Sequence, residues 1–170
     1  MANPLATAIT ALVTLLGVLL GGWLSIRNQE RLHRRDHARE WRDIRLTACG
    51  DFLTALREFI AFTLEPGITI TTAPHPKLTG ELMPFFDEKG SPYKEKLEAT
   101  KTRVRLVSES ADTVAKLNAL VRKARGIAAA RATHGVGEVP HELFEALWAA
   151  ERDFVAAVRA EVGLPAIPIS

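Results

Sequence analysis

Cysteine is nearly missing from this chain: Cys49 is the only one in 170 residues. No disulfide can close within the molecule, so a bridge-stapled scaffold is excluded, and a lone thiol fits a reducing compartment. Aromatic residues make up only 6% of the sequence, which leaves few stacking platforms of the kind nucleic-acid surfaces use. Charge of one sign is lacking too. Lys and Arg total 22 against 20 Asp and Glu, so no global field draws the protein to a polyanion. The chain contains no P-loop, dinucleotide fingerprint, nucleophile elbow or paired CxxC. No segment repeats at a period of roughly 20–50 residues, which excludes a solenoid. The most consequential absence is local: between Pro4 and Ile26 there is no charged side chain at all.

That run reads PLATAITALVTLLGVLLGGWLSI. As a helix it spans about 34 Å, against a bilayer core of roughly 30 Å. A helix satisfies its own backbone groups, which hydrocarbon cannot do. The threonines can bond back to carbonyls one turn earlier, and Trp23 falls at the depth where an indole meets headgroups. No Lys or Arg precedes the run, and it exceeds the apolar stretch of a cleaved leader, so residues 1–26 read as an uncleaved anchor. Gly17 and Gly21 form a GxxxG, the spacing that lets two spans approach closely and pair as a homodimer.

Charge returns abruptly beyond Ile26. Arg27, Arg31, Arg34 and Arg35 come first, followed by Arg39, Arg42 and Arg45. Positive flanks stay in the cytoplasm. The expectation is a single-pass protein of the cell membrane, with its N-terminus outside and its C-terminal domain cytoplasmic. Each arginine near an anionic leaflet gains roughly 1 kcal/mol, which makes membrane lipids the first expected partner.

Residues 27–40 read as a basic helical stalk, polar all round and supported by i,i+4 pairs such as Glu30–Arg34. Residues 41–165 read as a helical bundle domain and residues 166–170 as a tail. The first helix continues to about Leu64, with Trp41, Ile44, Ala48, Phe52, Ala55, Phe59 and Thr63 on its inner face. Residues 66–91 carry four prolines and three glycines and read as an irregular loop. Ile68 to Thr72 has strand composition without an obvious partner, and Leu82, Phe85 and Phe86 can tack the loop to the core. Further helices are predicted over 91–107, from a Ser108–Ser110 cap to about Thr133, and from Pro140 to a Gly163–Pro165 stop. The predicted fold class is therefore all-α, a transmembrane helix continuing into a cytoplasmic bundle of three to four helices.

Few residues suggest chemistry. His33 and His37 stand four apart, a spacing that can share one metal face, but Asp36 is not the Glu of an HExxH and no supporting shell is evident. The spacing suits exposed, titrating imidazoles at least as well. His75 sits in the long loop. Cys49 lies beside the apolar stripe, as an inert buried thiol would. The third helix carries Lys116, Arg122, Lys123, Arg125 and Arg131, which read as a solvated face and not as a nucleic-acid surface. No cofactor and no catalytic residue is expected.

The segments WRDIRLTACGDFLTALREF, RVRLVSESADTVAKLNAL and FEALWAAERDFVAAVRAEVGLP together resemble single-span, membrane-anchored helical proteins of actinobacteria and their phages. The resemblance covers most of the chain and is carried by structural motifs. It implies a span followed by an Arg/Trp-rich helix, and no activity that transfers residue by residue. The functional expectation is a membrane-tethered interaction or scaffold module with a protein partner, in a phage or mobile-element version acting at the host envelope. A membrane-anchored enzyme or metal protein is the alternative, and nucleic-acid tethering through the third helix is a further one.

Overall fold

A computed structural model describes residues 37, 39–76 and 79–166. The uncharged run lies outside the described residues, as do Gly17, Gly21, Trp23, Arg27, Arg31, His33, Arg34 and Arg35. Among the described residues no helix is long and apolar enough to cross a membrane. The chain divides into two units after Arg42. In the first unit His37 and residues 39–42 are helical, and Trp41 is exposed, not the start of the core stripe that periodicity suggested.

Among its described residues the second unit contains four α-helices, a hairpin and one short 3-10 turn, Val136–Glu138. Helix α1 covers residues 43–63, β1 Ile70–Pro74, β2 Leu82–Phe86, α2 Ser91–Val107, α3 Ala111–Arg131 and α4 His141–Glu161. Ion pairs along the helices fix their directions. Arg103 meets Asp51 at 2.7 Å and Lys96 meets Glu58 at 2.6 Å, so α2 runs antiparallel to α1. Arg125 meets Glu98, Lys116 meets Asp153, and Arg57 meets Glu151. Successive helices therefore alternate in direction and α4 returns beside α1, an up-down-up-down bundle.

The core follows the helical periodicity of each segment. Ala48, Phe52, Leu56 and Phe59 of α1 pack with Leu97 and Val104 of α2, Leu117, Leu120, Val121 and Ile127 of α3, and Leu147, Phe154 and Val158 of α4. Phe52 and Phe154 meet edge to face with centroids 5.4 Å apart, a pairing worth about 0.5–1.5 kcal/mol beyond burial. The helix ends use the expected chemistry. Ser110 caps α3 by accepting from the Thr113 N–H at 3.2 Å. Gly163 takes φ 69°, and its N–H reaches the Ala160 carbonyl while that of Leu164 reaches Arg159, closing α4 in a Schellman turn.

The all-α expectation is corrected by a two-stranded antiparallel sheet within what read as an irregular loop. Its register pairs Ile70 with Phe86, Thr72 with Pro84 and Pro74 with Leu82. The His75 N–H donates to the Glu81 carbonyl at 2.8 Å, which makes that a hydrogen-bonded pair. Alternation along an antiparallel ladder then puts Thr72–Pro84 and Pro74–Leu82 at non-hydrogen-bonded pairs. The nitrogens of Pro74 and Pro84 face away from the partner strand, and neither proline costs the ladder a bond. Phe86 anchors the hairpin, 5.4 Å from Phe59 and 6.3 Å from Phe62, whereas Leu82 and Phe85 remain exposed. Tyr93 stacks on Phe62 at 4.5 Å. Gly90 passes so close that a Cβ there would lie 2.5 Å from that of Phe86.

This register makes an opposed pair of predictions. Pro74→Ala, at an exposed position, leaves the hairpin paired and changes stability by no more than about 1 kcal/mol. Ala73→Pro removes a donor from a hydrogen-bonded pair and costs about 1–3 kcal/mol. Urea unfolding of the two variants, compared with the parent chain, measures both.

Candidate functional site

The end of the bundle where α2 turns into α3 holds a polar cluster. The turn is only Ser108 to Ser110, so the closing carbonyls of α2 and the opening N–H groups of α3 crowd together. Glu161, in the last turn of α4, puts its carboxylate among them. It accepts from the Ser108 hydroxyl at 2.9 and 3.1 Å and from the Glu109 backbone N–H at 2.8 Å. Its side chain is only 8% exposed. Arg45 of α1 completes the group. Its Nε donates to the Val107 carbonyl at 2.8 Å and lies 3.9 Å from Glu161, and its guanidinium also bonds Glu109. The Thr113 hydroxyl is fully buried beside the carboxylate, near enough to hold it down but outside strict hydrogen-bond geometry.

Opposing effects set the ionisation of Glu161. Burial pushes its pKa up. Thr113, the Glu109 amide, Ser108 and the Arg45 charge together outweigh burial and hold it below the ordinary carboxylate value. Cys49, one turn after Arg45, feels the same group. Burial first, and the Glu161 charge second, push its thiol up to about 11. A thiol so placed stays protonated and is no nucleophile at neutral pH, in line with its reading as an inert core residue.

A second group lies under the hairpin. A small cavity of about 30 Å³ is lined by apolar Phe59, Phe86 and Leu97 and by charged Lys94, Glu98 and Arg125. Arg125 reaches Glu98 at 2.5 Å and Lys101 reaches it at 3.3 Å. Burial raises the Glu98 pKa, but the two cations outweigh it and the net shift is downward. An ionised carboxylate already shared by two cations is a poor general base.

The residues singled out from sequence fare differently. His37 is exposed, accepts from the Trp41 indole at 3.3 Å and lies 3.7 Å from Glu40. His33, its suggested metal partner, lies outside the described residues. Among the described residues no group of three or more His, Cys, Asp or Glu side chains could hold a metal ion. His75 stands at the end of β1, its backbone bonded to Glu81. The basic stripe of α3 is partly consumed internally: Lys116 pairs with Asp153, Arg125 with Glu98, and Arg131 donates to the His134 carbonyl. Sequence reading did not find the Glu161 and Arg45 cluster. Its members are scattered over four segments, and the only local signal was the Ser108–Ser110 cap.

No protein family, curated protein or solved structure matches this chain. What the geometry supplies is two intramolecular charge clusters, each satisfied by its own neighbours.

The depressed Glu161 pKa has a definite pH consequence. Its contribution is full above the unfolded carboxylate value and is lost as pH falls through the lower folded value. Glu161→Gln therefore destabilises the protein at pH 7 by about 1.5–3 kcal/mol, the range for hydrogen bonds to a charged group. The deficit shrinks in acid, where the parent carboxylate also becomes neutral. Urea midpoints of parent and variant at neutral and acidic pH check the sign.

Proposed function

We propose that the chain is a membrane-tethered helical interaction module. The observation that carries this reading is the uncharged run from Pro4 to Ile26 followed at once by Arg27, Arg31, Arg34 and Arg35. The run spans the cell membrane as a single helix, and the arginines hold its C-terminal flank in the cytoplasm beside anionic headgroups. Gly17 and Gly21 give the span a face on which two copies can pack.

The folded unit supports a binding role over a catalytic one. Its best-placed carboxylates, Glu98 and Glu161, are committed to cations and amides of the same unit. Its surface offers apolar side chains instead. Leu82 and Phe85 project from the hairpin with 48% and 40% of their surfaces exposed, and Lys94 stands 5.7 Å over the Phe85 ring. An exposed apolar pair on an anchored hairpin suits a protein partner, which would bury it.

Topology is the testable part. In a Ser170→Cys chain with Cys49 replaced by Ser, an impermeant thiol reagent leaves intact cells unlabelled and labels them once the membrane is permeabilised. Labelling of intact cells would place the bundle outside and overturn the cytoplasmic orientation.

A further inference from the structure

Helix α4 carries one face that the bundle does not use. His141, Glu145, Trp148, Ala149, Arg152 and Ala156 share one face of the helix, related across the adjacent Trp148 and Ala149 by steps of three and four residues, and each is exposed. Trp148 is the anchor of this face, with 48% of its surface open. It is held in place from its own helix: the His141 ring meets it edge-on at 5.8 Å and Phe144 lies tilted at 6.3 Å. A large aromatic held rigid before any partner arrives loses little entropy on binding, which is the character of an interface anchor.

The charges around Trp148 identify what would cover it. Glu145 stands three residues before Trp148, and Arg152 three residues after Ala149. The pattern is complementary to itself when reversed. We propose that this face of α4 pairs with the same face of a second copy, antiparallel, about a two-fold axis between Trp148 and Ala149. Each Trp148 then lies against the partner's Ala149, where the short side chain leaves room for an indole. Each Glu145 faces the partner's Arg152, giving two equivalent ion pairs that flank the aromatic centre. His141 meets the partner's Ala156. A parallel pairing instead sets Glu145 against Glu145 and Arg152 against Arg152, and like charges at facing positions are unfavourable. An interface of this kind is isologous and closes at two copies, so it produces a dimer and not a filament. It does not depend on the membrane reading, and it is distinct from any packing of spans through Gly17 and Gly21.

Cross-linking on the full chain in detergent tests it, with Cys49→Ser as background and Ala149→Cys as the reporter. A short bis-maleimide links two copies at position 149. Adding Glu145→Arg sets arginine against arginine and lowers the linked fraction by roughly tenfold or more, as like charges across an interface do. Adding Arg152→Glu to that variant restores both pairs with their signs exchanged, and linkage returns. Circular dichroism confirms that each variant retains its helix content. Absence of linkage at position 149, linkage indifferent to Glu145→Arg, or failure of the exchanged pair to restore it each overturns the proposal. Copies that associate in detergent but do not link at position 149 are held by another surface, which equally overturns it.

Discussion

A carboxylate nearly withdrawn from water must be satisfied where it lies, and in this protein that constraint falls on Glu161. The groups that satisfy it belong to two other parts of the fold: the guanidinium of Arg45 on α1, and the hydroxyl of Ser108 and the amide of Glu109 at the α2–α3 turn. Desolvating the carboxylate costs free energy, and these contacts outweigh the cost. The price of the arrangement is that no member can be removed alone, because the others would be left buried and unpaired. The end of α4, the beginning of α1 and the turn joining α2 to α3 are thereby fixed to one point. Cys49 lies in the same environment, where burial first and the Glu161 charge second raise the pKa of its thiol.

The opposite end is held by apolar contact. Phe86 of the hairpin packs on Phe59 and Phe62, and Tyr93 stacks on Phe62 from the first turn of α2. Gly90 lets the chain pass between these rings, since the space a side chain would need is already taken by Phe86 and Phe62. The hairpin is thus a cover seated by Phe86 together with the buried Ile70 and Pro84, with Leu82 and Phe85 left outside. Polar closure at one end and aromatic closure at the other leave the long faces of the helices free to carry contacts with other molecules.

Most of the helical framework was legible in the sequence. The boundaries of α2, the Ser110 cap and the Gly163 stop follow from local chemistry that acts over one turn, and the structure uses each of them. The hairpin was not legible. Pro74 and Pro84 count against strands when taken one residue at a time, and become harmless only once the register sets their nitrogens outward. Trp41 fits the apolar stripe of the first helix by period but is exposed, and α3 buries Leu117, Leu120, Val121, Ala124 and Ile127, which is more than one narrow stripe. A single periodic stripe predicts one contact face, whereas a helix in contact with two neighbours and a hairpin buries a wider arc. The polar cluster was hidden for a related reason. Arg45 reads from sequence as one of the topology-setting arginines, and nothing in its spacing from Glu161 reveals that the two meet.

A double-mutant cycle between Arg45→Met and Glu161→Gln, measured by urea unfolding at pH 7, tests the account most directly. The two residues act as one unit, so the combined loss should fall short of the summed single losses by about 1–3 kcal/mol. Losses that add to within about 0.5 kcal/mol would mean that the two groups act independently, and that the bundle end is held by something other than this carboxylate.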